Sequence, residues 1–255
     1  MQEKIKSEGK CLFCGKTFAQ SDIFKHLTTH FKEISKTGKQ GKSFLVKVET
    51  AKRWGATPYF LSLWVNGDTT LKTIDTFLRD IWLDCCGHLS AFELPRKRTS
   101  KKFGTKDIHN SFLLDPDSEF PNEIAMSKKA NIVFSKGLEL EYTYDFGSST
   151  ELCVKVMDEY PVKADKKIVL LSRNEPLQII CSICRKAPAS KICLFCTYKI
   201  EAEFCDQCAI KHAKGCESFN EEYALPVVNS PRMGVCGYEG GCIDRERDSI
   251  RQLKS

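Results

Sequence analysis

The chain has 255 residues, of which 42% are hydrophobic and 28% are charged. The length corresponds to about two domains, and the composition excludes wholesale disorder. No run of 18 apolar residues occurs and the N-terminus lacks an apolar signal stretch, so we expect a cytoplasmic protein without a membrane partner. In a reducing compartment, its fourteen cysteines are expected to bind metal rather than to form disulfides.

Positive charge is concentrated near the N-terminus. Residues 1–53 contain twelve Lys or Arg against five Asp or Glu, a net charge of +7, whereas the other 202 residues sum to −1. A second cationic stretch, 95–106, has six Lys or Arg and no acid. The N-terminal charge makes DNA or RNA a possible partner. The stretch 95–106 is more simply solvated surface, since the following residues 107–123 contain five Asp or Glu, and a nucleic-acid role for it is the alternative.

The first candidate metal site, in residues 1–31, has four ligands at metal-binding spacing: Cys11, Cys14, His26 and His30. The two-residue gap between the cysteines lets both thiolates of a tight turn face one ion. The histidines are one helical turn apart, so both imidazoles project from the same helix face. The spacing therefore predicts one tetrahedral zinc site.

This segment resembles the two-Cys two-His zinc-finger family over about 20 residues, although 11 residues separate its two ligand pairs where the family usually has 12. The resemblance implies that Ala19, Asp22 and Lys25 occupy the positions that face DNA bases. Ala19 and Asp22 provide little base recognition, so any binding should tolerate different sequences. A finger that contacts protein, or that is purely structural, is an equal alternative.

The segment 32–43 follows the finger. It contains four lysines, two glycines and few apolar side chains. This composition predicts a basic flexible linker that makes the finger an independent unit.

Residues 44–172 show the periodicity of an α+β domain. Alternating apolar and polar residues predict strands over 44–50, 59–65, 138–144, 151–157 and 167–173. One helix is predicted after a Thr69 or Thr70 N-cap, with six apolar side chains on one face: Leu71, Ile74, Phe77, Leu78, Ile81 and Trp82.

Five cysteines of the chain have no obvious ligand spacing: Cys85, Cys86, Cys153, Cys236 and Cys242. Neighbours in sequence point apart, so Cys85 and Cys86 are not expected to chelate one ion, and small buried side chains are the simpler interpretation. Cys236 and Cys242 lie in a Gly-rich stretch that we interpret as a turn packed on the preceding zinc module.

Residues 173–255 contain eight ligands in three C-x-x-C pairs and one H-x-x-x-C pair: Cys181, Cys184, Cys193, Cys196, Cys205, Cys208, His212 and Cys216. Eight ligands suffice for two tetrahedral zinc ions, so that three ions are predicted for the whole chain. All positions are filled by protein, which predicts closed structural sites rather than a catalytic one.

The eight-ligand pattern resembles the cross-brace zinc modules of the MYND, HIT and B-box type. The resemblance implies that Cys181, Cys184, Cys205 and Cys208 bind one ion, and that the other set binds the second: Cys193, Cys196, His212 and Cys216. Sequential pairing of neighbouring knuckles is the alternative. Modules of this class bind protein partners, which gives the chain a second possible role as an adaptor.

Two stretches of the central domain, 75–94 and 141–156, together with the sequence VNGDTTLKTI, resemble the plasmid Ri open-reading-frame-three family. This is also called the TnpR-like family of insertion-sequence passenger proteins. The match covers roughly residues 43–165 and implies a β-grasp-like α+β domain, often linked to mobile elements. The positions that carry it are Thr70, Leu71, His88, Leu89, Phe92, Tyr144, Asp145, Phe146 and Gly147. The family often continues with an acid, a Trp and a His, where Ser148, Thr150 and Leu152 stand here.

No phosphate-binding loop, zinc-protease helix or nucleophile elbow occurs, so we expect no enzyme activity. We expect Asp145 to cap a turn and His88 to be a buried histidine, not a catalytic pair. The sequence thus predicts a zinc-binding, nucleic-acid-binding accessory protein related to mobile-element passengers. A protein–protein adaptor is the alternative.

Overall fold

The computed structural model describes residues 7–51, 58–95, 113–116, 122–196, 202–220 and 223–243. The chain divides into two compact units. Unit 1 comprises Met1–Phe77 and Leu89–Glu175, and unit 2 comprises Leu78–His88 and Pro176–Ser255. The segment 78–88, which the sequence analysis assigned to the central domain, thus belongs to the same unit as the C-terminal cysteines.

Unit 1 begins with a ββα motif. Strands β1 (Glu8–Lys10) and β2 (Thr17–Ala19) form an antiparallel hairpin, and helix α1 (Ile23–Thr37) follows. The backbone N–H of Gly15 closes the turn of the hairpin on the carbonyl of Cys11, with Gly15 at a φ of 74°. This positive φ suits glycine, and it explains the residue at this position.

The predicted linker is wrong. Residues 32–43 are the last turns of α1 and the start of strand β3 (Gln40–Thr50). Phe31 and Ile34 extend the apolar face of α1 beyond the finger, and Phe31 is fully buried. Helical periodicity therefore continues through the lysines, and only Gly38 ends the helix.

A large antiparallel sheet forms the centre of unit 1, which is of the α+β class. The other strands are β4 (Phe60–Asn66), β5 (Ser90–Glu93), β6 (Glu123–Ile124), β7 (Glu139–Tyr144), β8 (Thr150–Val162) and β9 (Ile168–Arg173). Among the described residues they form a seven-stranded sheet in the order β6–β5–β7–β8–β3–β4–β9. All five predicted strands are confirmed.

The predicted helix is confirmed as α2 (Leu71–Leu78), which continues as a π-helix over Arg79–Leu83. Thr70 caps it, since the hydroxyl oxygen of Thr70 accepts the backbone N–H of Thr73 at 3.2 Å. Asp75 of this helix is buried. Its carboxylate accepts hydrogen bonds from the hydroxyl groups of Ser90 and Tyr142 and forms an ion pair with Lys72. These partners offset the cost of burying the charge.

Both faces of the sheet are covered where β3 and β4 lie. Alternate residues of a strand point to opposite faces, and Leu45 and Trp64 pack in one cluster with α1. On the other face Phe44 packs edge-to-face against Phe134, which follows the short helix α3 (Ala130–Val133). β4 is consequently buried along its whole length instead of alternating between buried and exposed.

Unit 2 consists of short elements around the cysteines. In its described part, β10 (Lys191–Ile192) pairs antiparallel with both β11 (Glu203–Phe204) and β12 (Leu225–Pro226), and helix α4 spans Asp206–Ala213. The buried cluster of this region is mostly cysteine, alanine and phenylalanine. Such small elements bury little apolar surface and require cross-links to be stable.

Among the helices that the structure describes, none has the length and apolar character needed to cross a membrane. The cationic stretch 95–106 lies outside the described residues from Arg96 onward, as do Lys4, Lys6, Lys52 and Arg53 of the basic N-terminal region.

We expect Phe31→Ala to destabilise unit 1 by about 3–5 kcal/mol, as is usual for truncating a buried aromatic side chain. Phe31 stacks on Tyr160 at 4.3 Å between ring centroids and contacts Trp64 edge-to-face at 5.0 Å. Denaturant unfolding in the presence of Zn²⁺ measures the change. Lys32→Ala, on the exposed side of the same helix, is the control and should change stability by less than about 0.5 kcal/mol. Equal stabilities of the two variants would contradict a role of α1 in the core.

Candidate metal centres

Four groups of Cys and His side chains within the described residues bring their ligand atoms within 4.8 Å of one another. Three of them contain the twelve residues selected from the sequence. The fourth consists of Cys85, Cys86, His88 and Cys236. The first group belongs to unit 1, and the others belong to unit 2.

The finger group combines the β1–β2 hairpin with helix α1. Cys11 Sγ lies 3.7 Å from His30 Nε2, Cys14 Sγ lies 3.2 Å from His26 Nε2, and the two Nε2 atoms are 3.1 Å apart. Ligands at zinc–sulfur and zinc–nitrogen distances of about 2.3 and 2.0 Å in a tetrahedron are separated by about 3.3–3.8 Å. The observed spacings, 3.1–3.7 Å, fit one zinc ion.

The surroundings of His26 favour the neutral imidazole that ligates metal. Phe18 stacks on His26 at 3.9 Å between ring centroids. Partial burial, followed by the nearby His30 and Lys16, holds the pKa of His26 below its usual value. A lowered pKa keeps the ring deprotonated at neutral pH, as metal binding requires.

The finger is joined to the sheet by its backbone. Leu12 N donates to the Leu171 carbonyl at 2.9 Å, and Gly9 forms a bridge with Asn174. Ile23, Phe24 and Leu27 of α1 are buried in the same cluster as the β3 and β4 side chains. The ligand-bearing hairpin and helix are therefore parts of unit 1, and the finger is not an independent module.

The first cluster of unit 2 contains only thiols: Cys181, Cys184, Cys205 and Cys208. The sulfurs of Cys184 and Cys205 are 3.9 Å apart. Backbone N–H groups of Ala187 and Lys186 donate to Cys184 and lower the pKa of its thiol to about 6. Such N–H donors stabilise a thiolate, the form that binds metal.

The second cluster of unit 2 has three thiols and one imidazole: Cys193, Cys196, His212 and Cys216. His212 Nε2 is 3.7 Å from Cys196 Sγ, and its ring stacks on Phe204 at 4.3 Å between centroids. Burial raises the pKa of Cys193 to about 11. A buried thiolate is costly unless a cation neutralises it, and a bound divalent metal would do so.

The two clusters interleave along the chain. The first and third knuckles share one cluster, while the second knuckle joins the terminal His/Cys pair. Helix α4 carries Cys208 of one cluster and His212 of the other. This grouping is the cross-brace arrangement, and the sequential alternative does not describe the structure.

The fourth group corrects the interpretation of the neighbouring cysteines. Cys85 and Cys86 have their sulfurs 3.4 Å apart, so their side chains do not point away from each other. Cys86 Sγ is also 3.4 Å from Cys236 Sγ and 3.3 Å from His88 Nε2. Sequence reasoning missed this group because Cys236 lies 150 residues after Cys86. The C-C-x-H spacing was the available signal.

The other cysteines and the turn residues singled out from the sequence have different roles. Cys153 and Cys242 belong to none of the four groups in the described part of the chain. Asp145, at a φ of 64°, accepts hydrogen bonds from the backbone N–H groups of Gly147 and Ser148, which confirms its predicted role in a turn. His88 is half-buried beside two thiols rather than fully buried.

The fold and these groups define an α+β protein with several Cys/His clusters that could hold metal ions. No protein-family model matches the chain, and no curated protein shows significant sequence similarity to it. The chain is similar to the crystal structure of a protein of unknown function, MM3350, from Methanosarcina mazei Go1. The TM-score is 0.35 and the identity 20%, over 52% of this chain and 68% of that chain.

We expect Cys205→Ser to release two zinc ions from unit 2, not one. Loss of the all-thiol cluster frees the start of α4, which also carries His212 of the second cluster, and the metal-binding free energy of about 10–16 kcal/mol serves as folding energy in such sites. Native mass spectrometry and limited proteolysis measure the result.

Cys153→Ser, a half-buried cysteine of strand β8, is the matched control and should keep every ion and full protease resistance. Loss of a single ion from Cys205→Ser, with unit 2 otherwise resistant to protease, would contradict the coupling of the two clusters.

Proposed function

We propose that the chain is a non-enzymatic, cytoplasmic zinc-binding protein that contacts DNA or RNA through its basic N-terminal region. It holds zinc in the finger and in the two interleaved clusters. The proposal includes a relationship to the plasmid Ri open-reading-frame-three proteins and a β-grasp-like outline for the central domain, both of which rest on the sequence resemblance. The role would be that of an accessory protein of mobile elements.

The observation that carries this proposal is the exposed face of α1. Lys25, Lys32 and Lys36 are seven and four residues apart, so they share one side of the helix, and all three are exposed. The opposite side is fixed by burial in unit 1. Glu33 pairs with Lys36 at 2.7 Å, but both side chains are largely exposed and the pair is weak.

A rigid row of lysines is suited to the phosphate backbone more than to the bases. Phosphate contacts supply affinity and orientation, and base contacts supply sequence preference. Ala19, the last residue of β2, and Asp22, the N-cap residue of α1, are both exposed, and neither offers a good base contact beside phosphates. Binding should therefore be weak, tolerant of sequence and sensitive to salt.

A finger made of two thiolates, two neutral imidazoles and Zn²⁺ has no net charge. Its metal would consequently leave the positive charge around α1 unchanged. Zinc here would fix the orientation of the helix relative to the hairpin without weakening its attraction to phosphate.

The adaptor function stays the second candidate because unit 2 exposes large apolar side chains. Those that are at least 44% exposed are Ile180, Ile183, Phe195, Ile210 and Tyr223. A contiguous patch of exposed apolar side chains is typical of protein-binding surfaces, and the adaptor function would require several of these side chains to form one.

The test compares two triple variants of the full chain in titrations of labelled duplex DNA and RNA at two salt concentrations. Lys25→Glu/Lys32→Glu/Lys36→Glu should abolish most of the binding and reduce the log–log salt slope by about 0.9 for each duplex phosphate that the variant no longer neutralises. The control Lys129→Glu/Lys136→Glu/Lys166→Glu makes the same charge change at exposed positions elsewhere in unit 1.

Scrambling the duplex sequence should change the affinity of the wild-type chain little. An equal loss of affinity in both triple variants would mean that net charge, not α1, determines binding. Absence of binding by the wild-type chain at low salt would overturn the nucleic-acid proposal and favour the adaptor.

A further inference from the structure

We propose that Cys85, Cys86, His88 and Cys236 form a fourth zinc site, which fastens the C-terminal segment of unit 2 to the turn that follows the π-helix. All four residues belong to unit 2. The inference goes beyond the proposed function, because it does not depend on whether the chain binds nucleic acid.

The distances between the ligand atoms match one tetrahedral ion. Cys86 Sγ lies 3.4 Å from Cys85 Sγ, 3.3 Å from His88 Nε2 and 3.4 Å from Cys236 Sγ. Cys236 Sγ lies 3.6 Å from His88 Nε2. Thiolates and imidazoles on one zinc are about 3.3–3.8 Å apart, whereas the sulfurs of a disulfide are about 2.05 Å apart. Three thiols and an imidazole are soft and borderline ligands, which favour zinc over magnesium or calcium.

The local backbone explains how two adjacent cysteines face the same point. The π-helix ends at Leu83, Asp84 is extended, and Gly87 turns the chain with a φ of 73°. The Gly87 N–H donates to Asp84 Oδ1 at 3.0 Å and closes this turn. In such a tight turn, successive side chains do not alternate as they do in a strand.

The fourth ligand arrives on a segment that packs closely against the π-helix. Ser230 Oγ donates to the Trp82 carbonyl at 2.7 Å, and Ile243 N donates to the Asp80 carbonyl at 3.1 Å. A Cβ atom at Gly241 would lie 2.3 Å from the Ile81 carbonyl oxygen, so this approach requires glycine. Cys236 therefore lies between two anchored points.

Cys236 itself adopts a left-handed backbone conformation, with a φ of 55°. Such a conformation is uncommon for residues other than glycine and costs free energy unless the surroundings stabilise it. Ligation of Cys236 to a metal would supply that stabilisation, since the conformation directs its sulfur towards Cys86 and His88.

Arg232 supplies the charge that such a site needs. Three thiolates and one neutral imidazole around Zn²⁺ carry a net charge of −1. The Arg232 side chain is fully buried, and its Nη2 donates to Cys85 Sγ at 3.6 Å. A guanidinium hydrogen-bonded to a ligating thiolate balances this charge and orients the ligand, as partners of metal ligands usually do.

Native mass spectrometry of the zinc-loaded full chain tests the site by counting ions. We expect four zinc ions per chain: one in the finger, two in the interleaved clusters and one in the fourth site. Cys236→Ser should lose one of them and bind three. Cys242→Ser is the matched control, because Cys242 is another exposed cysteine of the same segment and belongs to none of the groups among the described residues. It should keep the wild-type count.

Alkylation of the wild-type chain by iodoacetamide, followed by peptide mass spectrometry, gives a second readout that requires no variant. Cys86 and Cys236 are exposed, so without a metal they should react as readily as Cys242. We expect both to be protected in the zinc-loaded protein and to react once 1,10-phenanthroline removes the metal.

Three results would overturn the fourth site: a wild-type count of three, an unchanged count in Cys236→Ser, or alkylation of Cys86 and Cys236 in the zinc-loaded chain. Protection that resists the chelator but disappears with a reductant would identify a disulfide instead. If Cys236→Ser loses several ions by unfolding, the alkylation pattern of the wild-type chain decides.

Discussion

The fold of unit 2 depends on its Cys and His side chains, which meet in groups that could each bind one metal ion. Its paired strands are two residues long, and its described helices are short. Elements of this size cannot offset the conformational entropy of the chain by apolar burial alone. Because α4 contributes a ligand to each interleaved cluster, neither cluster can form without positioning the other. The two clusters share this helix and also one buried core, in which cysteines of both pack with Phe204 and Phe219, so we expect their metal binding to be cooperative.

Unit 1 uses the same ligand chemistry differently. The finger has the short hairpin and the ligand spacing of a self-sufficient module, yet α1 buries apolar side chains against a sheet with its own core. Zinc in the finger would therefore orient an element that packing already holds. With zinc bound, α1 would be held by two independent constraints, and a rigid lysine face would suit the proposed contact with a regular phosphate backbone.

Local spacing made much of this structure predictable. Ligands three or four residues apart are geometrically coupled by turns and helices, so the twelve ligands could be selected from the sequence, and the alternating strands from their period of two. The linker prediction failed because it rested on the lysine and glycine content of residues 32–43. It did not take into account that Phe31 and Ile34 continue the apolar face of α1. The C-C-x-H spacing of residues 85–88 indicated three ligands of the fourth group, but its last ligand could not be predicted from spacing, since Cys236 lies 150 residues after Cys86.

Metal binding would also redistribute the charge of the chain. A two-Cys two-His finger is neutral, a four-Cys site carries −2, and each three-Cys one-His site carries −1. All the negative sites belong to unit 2, whereas the formal net charge of +6 counts the cysteines as neutral. Loading with zinc would thus make unit 2 more acidic and leave the net +7 of residues 1–53 unchanged. A polyanion would then be attracted to unit 1 and repelled by unit 2. If the proposed nucleic-acid binding holds, the metal would therefore favour binding at unit 1 as well as stabilise the fold.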